Sequence, residues 1–391
     1  MSKKMYSSEI SGFYKLSVKE RLDLIQKKVG LNQEELSVLK NFGYFKPEEM
    51  DLLIENVVGS YQLPYSIACN FKINNKDYLI PMVIEEPSVV AAASNVARMA
   101  RKTGGFHSES IDQVMIGQIQ IVDIENINDA VENIKANKEK IIKLANDQDP
   151  ILIKLGGGVV DLEIRTIETI KGPMIIIHLL VNVLDAMGAN AVNTMAEAVA
   201  PYLEELSNGQ VFLRIISNLA THRIAKCRAV FDKEMLGGSD IVEGILYAYA
   251  FAKADPYRAT THNKGIMNGI IALTLATGND TRAIEAGAHA YAAIGGYSPL
   301  SKFDRDEHGN LIGELQIPLA LGIIGGLTKT HPLARISLKI LDIDTAEELA
   351  QVAVALGLCQ NVAALRALAS EGIQAGHMKL HKRKEKKRKS I

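Results

Sequence analysis

Hydrophobic positions follow helical spacing in some segments and strand spacing in others, and their order predicts a mixed α+β protein. Apolar residues recur every three to four positions over 16–58, which predicts short helices. Two strand-like runs over 67–84 flank the polar turn Asn74-Asn75-Lys76-Asp77 and predict a β-hairpin. The hairpin is followed by Glu85-Glu86-Pro87-Ser88 and then by an Ala-rich helix.

The middle of the chain predicts a compact unit of its own. Its pattern is a strand over 119–125, a helix over 128–144, strands over 160–169 and 173–184, a helix over 192–206 and a strand over 211–217. This β-α-β-β-α-β order is typical of a ferredoxin-like sandwich. We therefore expect a small domain over 114–220, inserted into a large domain formed by 1–113 and 221–376, with 377–391 as a terminal segment. After residue 220 the pattern is mostly helical.

The amino-acid composition limits the classes of partner that the chain is expected to bind. The chain has 391 residues, 47% of them hydrophobic, which is enough for two domains with full cores. Lys and Arg number 44 against 45 Asp and Glu, so no global field attracts nucleic acid or an anionic membrane. Residues 381–391 are the exception, with seven Lys or Arg and one Glu, and are expected to be solvated.

Cysteine usage and the termini predict a soluble cytoplasmic protein. Cys69, Cys227 and Cys359 lie far apart without a CxxC pair, which argues against disulfides and against a metal site. The N-terminus lacks the apolar stretch of a signal peptide, and no uninterrupted apolar window reaches the roughly 20 residues of a membrane span.

Two segments hold residues suited to chemistry. Glu86 stands beside another Glu at the junction of an apolar strand and an apolar helix, where it is either an acid group or a helix cap. Residues 255–269 (DPYRATTHNKGIMNG) place Arg258, Lys264 and Asn268 between hydrophobic helices. An Arg is suited to grip a carboxylate and a Lys to polarise a carbonyl, although a plain polar loop has the same composition.

Other candidates have equally simple structural alternatives. Asp280 is a charge partner for Lys264 or a helix cap. Gly188 and Asn190 precede a helix whose N-terminus would receive a phosphate, or they form a turn. His377 is a mobile proton donor or a solvated residue. The chain has no GxGxxG, HExxH, GxSxG or Walker A motif, which disfavours a Rossmann dehydrogenase and several other enzyme classes.

Several long strings, in matching order, resemble class II 3-hydroxy-3-methylglutaryl-CoA (HMG-CoA) reductase along nearly the whole chain. They are ENVVGSYQLPYSIACNF (55–71), EEPSVVAAAS (85–94), DAMGANAVNTMAEAVAP (185–201), DPYRATTHNKGIMNG (255–269), ATGND (276–280), GGLTKTHP (325–332) and ALASEGIQAGHM (367–378). The resemblance implies a large, mainly helical CoA-binding domain around a central helix, an inserted ferredoxin-like cofactor domain, and a homodimer, or an oligomer of dimers, with active sites at the subunit interface.

The resemblance also implies residue roles. The catalytic set falls on Glu86, Lys264, Asp280 and His377. The hydroxymethylglutaryl group would be held by Ser88, Arg258 and Asn268, and CoA by Asn361 and Ala364. The cofactor loop contains Asp185, Gly188 and Asn190, and Asp149 matches an acidic position that favours a ribose 2′-hydroxyl over a 2′-phosphate. The expected cofactor is therefore NADH or NADPH, with NADH favoured, and no metal is expected.

The implied reaction is the four-electron reduction of HMG-CoA to mevalonate and CoA, or the reverse oxidation. The alternatives are another acyl-CoA reductase or lyase on the same scaffold, or a non-catalytic CoA- or RNA-binding protein. The RNA-binding alternative is disfavoured because the sequence lacks the paired aromatic residues of an RNA-binding sheet, since Phe212 is alone on its strand. The family commonly continues with a helical flap domain where this sequence ends at Ile391, so we expect a shortened flap, with the basic tail near the CoA phosphates.

Overall fold

The computed structural model describes residues 7–16, 18–40, 45, 49, 53–54 and 61–370. The predicted donor His377 and the basic tail lie outside these residues. Within them, ten strands are β1 (Tyr65–Ile73), β2 (Lys76–Val83), β3 (Phe106–Ile111), β4 (Val114–Val122), β5 (Gly158–Thr169), β6 (Gly172–Asn182), β7 (Gln210–Ser217), β8 (Ile224–Phe231), β9 (Ser301–Arg305) and β10 (Leu311–Pro318).

The helices occur in two groups, one at each sheet. In chain order they are a 3-10 turn (Phe13–Lys15), α1 (Val18–Val29), α2 (Gln33–Lys40), α3 (Val89–Arg101), α4 (Ile127–Ala136), α5 (Lys138–Asn146), α6 (Pro150–Lys154), α7 (Ala189–Ser207), α8 (Lys233–Leu236), α9 (Ser239–Ala254), α10 (Pro256–Ala276), α11 (Thr281–Ala293), α12 (Gly326–Thr330), α13 (Pro332–Leu341) and α14 (Ala346–Ala369).

The smaller sheet has the ferredoxin-like arrangement. Its strand order is β5-β6-β4-β7, and every neighbouring pair is antiparallel. The predicted first helix is interrupted at Asn137 and divided into α4 and α5. Helices α4, α5 and α7 cover one face, where Gly117 on β4 lets α7 approach, because a Cβ there would lie 2.8 Å from Val192 Cγ1. The predicted α+β fold class is confirmed.

The larger sheet has six strands in the order β2-β1-β3-β8-β10-β9. The hairpin of β1 and β2 is confirmed, with a tight Asn74-Asn75 turn in which both residues have positive φ. Strands β3, β8 and β9 were not predicted, so the large part of the molecule contains more sheet than the helical pattern after residue 220 indicates.

Helix α14 is the central element of the large part. It packs against α3, α9 and α10 and against the large sheet, and most of its residues are buried. Gly357 permits the close crossing with α10, since a Cβ there would lie 2.8 Å from Ile270 Cδ1. Within the described chain, α14 is the one helix long and apolar enough to cross a membrane, and 72% of its apolar window is buried inside the protein. It is therefore a core helix.

Candidate active site

An ion pair between Glu86 and Lys264 lies at the centre of the candidate site. Glu86 is in the loop between β2 and α3, and Lys264 is on α10, which packs against β2. Lys264 Nζ is 2.9 Å from Glu86 Oε2, although the residues are 178 positions apart in the chain. The side chains are 58% and 35% exposed, so a ligand has access to both.

Helix α10 contains the polar segment that sequence patterns left open as a loop. Asp255 caps the helix by accepting the Arg258 amide at 2.7 Å, and Pro256 occupies the first turn. Asn268 follows Lys264 by four residues, which places both on the same face of the helix. Asn268 is half-buried.

The opposite face of α10 is fixed by a buried polar network. His262 Nε2 is 2.6 Å from Ser301 Oγ, and Ser301 donates its proton to Asn361 Oδ1 at 2.8 Å. The hydroxyl has one proton, so His262 Nε2–H must be the donor to Ser301. Burial and the charge of Arg258 lower the pKa of His262 to about 4, which keeps the imidazole neutral.

This network changes the expectation for Asn361. The side chain is 1% exposed, and its Nδ2 donates to the His262 carbonyl at 3.2 Å. A direct contact with CoA would require Asn361 to leave the network, so the structure favours an indirect role through α10. Ala364 is half-buried where α14 crosses Gly265 of α10, and its place on the CoA side stays a prediction.

Ser88 has two features of a ligand-binding residue. Its backbone is left-handed, with φ of 79°, a conformation that costs a non-glycine residue about 1 kcal/mol or more and is concentrated at functional sites. Its Oγ atom is buried and has no hydrogen-bond partner among the described residues. A buried hydroxyl without a partner is unfavourable unless a ligand or water completes it.

Arg258 is a cation that none of the described acids neutralises. Its side chain is half-buried one turn before His262, and burial lowers its pKa from the ordinary value. A half-buried guanidinium without a carboxylate partner is suited to bind an external anion.

The structure does not bring Asp280 to Lys264 within one chain. The Asn279 amide donates to the Thr274 carbonyl at 2.9 Å, which holds this turn at the end of α10. Ten residues of helix from Lys264 to Thr274 span about 15 Å, more than these side chains can bridge. Asp280 instead caps α11 and pairs with Arg282 at 2.9 Å.

The predicted cofactor loop leads into the N-terminus of α7. Gly188 has φ of 100° at the cap position, and a Cβ there would lie 2.6 Å from Val183 Cγ1, so this position requires glycine. No side chain caps the helix, and Asn190 is exposed in its first turn. These uncapped amides and the positive helix end fit the phosphates of a dinucleotide.

The other two predicted cofactor residues have structural roles as well. Asp185 accepts the Ala346 amide at 2.8 Å and so caps the start of the central helix. Asp149 caps α6 by accepting the Leu152 amide at 2.9 Å, which leaves its second carboxylate oxygen available. Among the described residues, no three His, Cys, Asp or Glu side chains group as metal ligands.

Comparison with known proteins gives consistent results. The family model described as hydroxymethylglutaryl-coenzyme A reductase matches residues 17–382. A 3-hydroxy-3-methylglutaryl-coenzyme A reductase of Archaeoglobus fulgidus is 60% identical over 377 residues, which are 96% of this chain and 86% of that protein. A probable 3-hydroxy-3-methylglutaryl-coenzyme A reductase of Borreliella burgdorferi is 36% identical, over 88% of this chain and 80% of the relative.

A solved structure is also similar over the whole fold. It is the class II 3-hydroxy-3-methylglutaryl-CoA reductase from Streptococcus pneumoniae bound to NADPH in open conformations. The TM-score is 0.89 at 41% sequence identity, and the match covers 92% of this chain and 99% of that one.

Proposed function

Because the chain belongs to the hydroxymethylglutaryl-coenzyme A reductase family, we propose that Glu86 and Lys264 of one copy act with Asp280 of a second copy on the thioester of HMG-CoA. The observation that carries this proposal is the accessible Glu86–Lys264 ion pair, with the unpartnered Ser88 hydroxyl two residues after Glu86 and the unneutralised Arg258 guanidinium on the same helix as Lys264. The enzyme reduces HMG-CoA to mevalonate and CoA. The same site also serves the reverse oxidation, and metabolite levels set the direction.

Lys264 has the charge that the first reduction requires. Negative charge develops on the thioester oxygen when the carbonyl is attacked, and a fixed cation at that oxygen stabilises the transition state. The Glu86 carboxylate holds the ammonium at 2.9 Å and so restricts its position. For the second reduction we propose that Glu86 first takes up a proton from solvent and then donates it to the aldehyde oxygen, as the hydride adds to the carbonyl carbon.

The hydroxymethylglutaryl group requires a partner for its free carboxylate and one for its hydroxyl. We assign the carboxylate to Arg258, because a guanidinium binds a carboxylate through two parallel hydrogen bonds. The Ser88 hydroxyl and the Asn268 amide would then complete the polar contacts to the hydroxymethylglutaryl group. His377, which lies outside the described residues, stays the predicted proton donor to the departing thiolate.

In this proposal, a second copy of the chain supplies the Asp280 carboxylate to the Glu86–Lys264 pair of the first. Asp280 follows a turn bonded to Thr274, which is about 15 Å along α10 from the Lys264 of the same chain. The pair of Asp280 with the exposed Arg282 is of a weak kind that a partner's Lys264 can replace. Tyr247 and Phe251 on α9 and Tyr257 on α10 are each more than half exposed, an apolar surface suited to a subunit contact. We therefore propose a homodimer, in the cytoplasm, with sites at the subunit interface.

The nicotinamide cofactor belongs at the N-terminus of α7. Gly188 and the first amides of the helix would bind its phosphates, while Asp185 fixes the loop to α14. A bound nicotinamide cofactor supplies the hydride for each reduction. We propose NADH as the preferred form because the Asp149 carboxylate would repel a 2′-phosphate, although the similar Streptococcus pneumoniae enzyme is bound to NADPH.

Replacing Asp149 tests the cofactor preference. Asp149→Asn keeps a good helix cap and removes the charge. We expect the ratio of kcat/KM for NADPH to kcat/KM for NADH to rise about five- to tenfold, since a nearby like charge costs about 1 kcal/mol at a surface site. Asp149→Arg should raise the ratio further. Asp147→Asn, two residues earlier, is the control, and an unchanged ratio in both Asp149 variants would contradict the assignment.

The overall function is tested by stoichiometry. Reduction of a thioester to an alcohol consumes two hydrides, so two reduced cofactors should be oxidised for each CoA released, as followed by cofactor absorbance and a thiol reagent. One cofactor per CoA would indicate a reductase that stops at the aldehyde. CoA release without oxidation would indicate a lyase or thioesterase.

A further inference from the structure

Residues 319–324 form a strap between two parts of the candidate site. The strap follows β10 and consists of Leu319, Ala320, Leu321, Gly322, Ile323 and Ile324. Leu319 to Gly322 are buried although they belong to no helix or strand. A buried irregular segment must direct its backbone hydrogen bonds to specific partners, and here those partners include the cofactor loop and the turn before Asp280.

One side of the strap is bound to the cofactor loop. The Ile323 amide donates to the Asp185 carbonyl at 2.9 Å, and Ile324 forms a β-bridge with Ala186. Gly322 passes so close to Met187 that a Cβ would lie 2.5 Å from the Met187 nitrogen. Any larger residue at 322 would displace one of the two segments.

The buried Arg223 side chain adds hydrogen bonds that hold the strap to the cofactor loop. The side chain is 1% exposed, and its NH1 group donates to the carbonyls of Ala186 and Met187 at 3.1 and 3.3 Å. Its NH2 group donates to the Leu321 carbonyl of the strap, and Nε donates to Gln113 Oε1 at 2.8 Å. One guanidinium therefore joins the cofactor loop, the strap and the residue before β4.

The other side of the strap is bound to the turn that carries Asp280. Asn279 Nδ2 donates to the Gly322 carbonyl at 3.0 Å, and the Gly322 amide donates to Asn279 Oδ1 at 2.7 Å. This reciprocal pair fixes both the distance and the orientation of the turn. Asp280 is the next residue, so its position follows from that of the strap.

We propose that the strap sets the position of Asp280 relative to the cofactor loop, with Asn279 and Arg223 as positioning residues. The inference rests on the proposed role of Asp280. Each chain then presents its cofactor loop and its Asp280 as one rigid unit to the Glu86–Lys264 pair of its partner. Displacement of a positioned group by about 1 Å can lower a rate about 100-fold, so a rigid link at this place matters for turnover.

Asn279→Ala should lower kcat about 10- to 100-fold, with little change in KM for HMG-CoA, since Arg258 and Ser88 are untouched. Asn279→Asp keeps only the hydrogen bond from the Gly322 amide, so its kcat should lie between those of Asn279→Ala and the native enzyme. This variant replaces Asn279→Ala in the test if the Ala variant does not fold. Asn310→Ala is the matched control. Asn310 also joins loop segments through Lys233 and Asp306, so it should lower the Tm but not kcat.

A double-mutant cycle with Asp280→Asn separates the inference from the function on which it rests. If Asn279 acts through Asp280, Asn279→Ala should have no further effect on kcat in the Asp280→Asn background. Multiplicative effects, or a native kcat in Asn279→Ala, would overturn the coupling while leaving the role of Asp280 intact. A native kcat in Asp280→Asn would overturn the role of Asp280, and the coupling with it.

Discussion

Lys264→Ala is expected to lower kcat for HMG-CoA reduction by about 10²- to 10³-fold, the usual loss when a preorganised group at a developing oxyanion is removed. The loss should appear in kcat because the cation acts on charge that develops in the transition state. The KM for the cofactor should stay close to the native value, since α7 and its loop are separate from α10. Steady-state rates with saturating HMG-CoA and reduced cofactor provide the measurement.

The chain contains a closely matched control for this substitution. Lys135 forms an exposed pair with Glu132 at 2.8 Å, and its side chain is 57% exposed, against 2.9 Å and 58% for Lys264 with Glu86. Lys135→Ala therefore removes the same kind of ion pair from a helix of the small domain and should leave kcat unchanged. Equal losses in the two variants, or a native rate in Lys264→Ala, would remove Lys264 from the catalytic set.

Elements with strong local signals could be predicted from the sequence. Asn74-Asn75 tolerates the positive φ values that a two-residue hairpin turn requires, so β1 and β2 were recognisable. The ferredoxin-like unit was also recognisable, because its strands alternate and its helices have an apolar face. The interruption at Asn137 was not predicted, since helical spacing continues across the junction of α4 and α5.

Strands β3 and β8 could not be predicted because their stability is non-local. The β3 sequence FHSESI alternates small and polar residues and buries little beyond Phe106. It is held by antiparallel pairing with β8, from Phe106 with Ala229 to Ile111 with Ile224. Pairing partners more than a hundred residues apart leave no periodic signal in either segment.

For the candidate site, the residue types could be predicted from the sequence but their three-dimensional arrangement could not. Residue types in 255–269 indicated a carbonyl-polarising Lys and a carboxylate-binding Arg, but not that the segment is helical. The buried His262 of this segment is hydrogen-bonded to Ser301 and Asn361, which are distant in sequence. Once α10 is a helix, Asp280 is too far from the Lys264 of its own chain. Asn279 and Arg223 could not be identified from the sequence, because their proposed role depends on hydrogen bonds to the strap, which is distant from both in the chain.

Under the proposed function, each chain carries two incomplete halves of a site. One half contains Glu86, Ser88, Arg258 and Lys264, and the other contains the cofactor loop and Asp280, joined by the strap. Lys264 pairs with Glu86 and Asp280 pairs with Arg282 within one chain, and the turn before Asp280 is bonded to Thr274, about 15 Å along α10 from Lys264, so the two halves of one chain do not meet. In a two-fold dimer the same surface patches serve both subunits, so each half can meet its complement across the interface.

Mixing two inactive variants should therefore restore activity. Lys264→Ala and Asp280→Asn, which keeps the α11 cap, are each expected to be nearly inactive alone. In a mixed dimer, one site combines both defects and the other has the native Lys264 and the native Asp280. Random exchange gives about half mixed dimers, each with one working site of two, so about a quarter of the native activity should return. Refolding the differently tagged variants together and assaying the mixture measures this quarter, and the mixed dimer purified through both tags should show about half of the native activity.

The reverse arrangement provides the control. A chain with both Lys264→Ala and Asp280→Asn, paired with a native chain, should be inactive as a mixed dimer, because each site then contains one defect. If Lys264 and Asp280 instead acted within one chain, the two outcomes would be exchanged: the single variants would not complement each other, and the native chain would keep its activity beside the double variant. The two mixed dimers therefore give opposite answers for the two arrangements, and the comparison does not depend on the absolute rate of either variant.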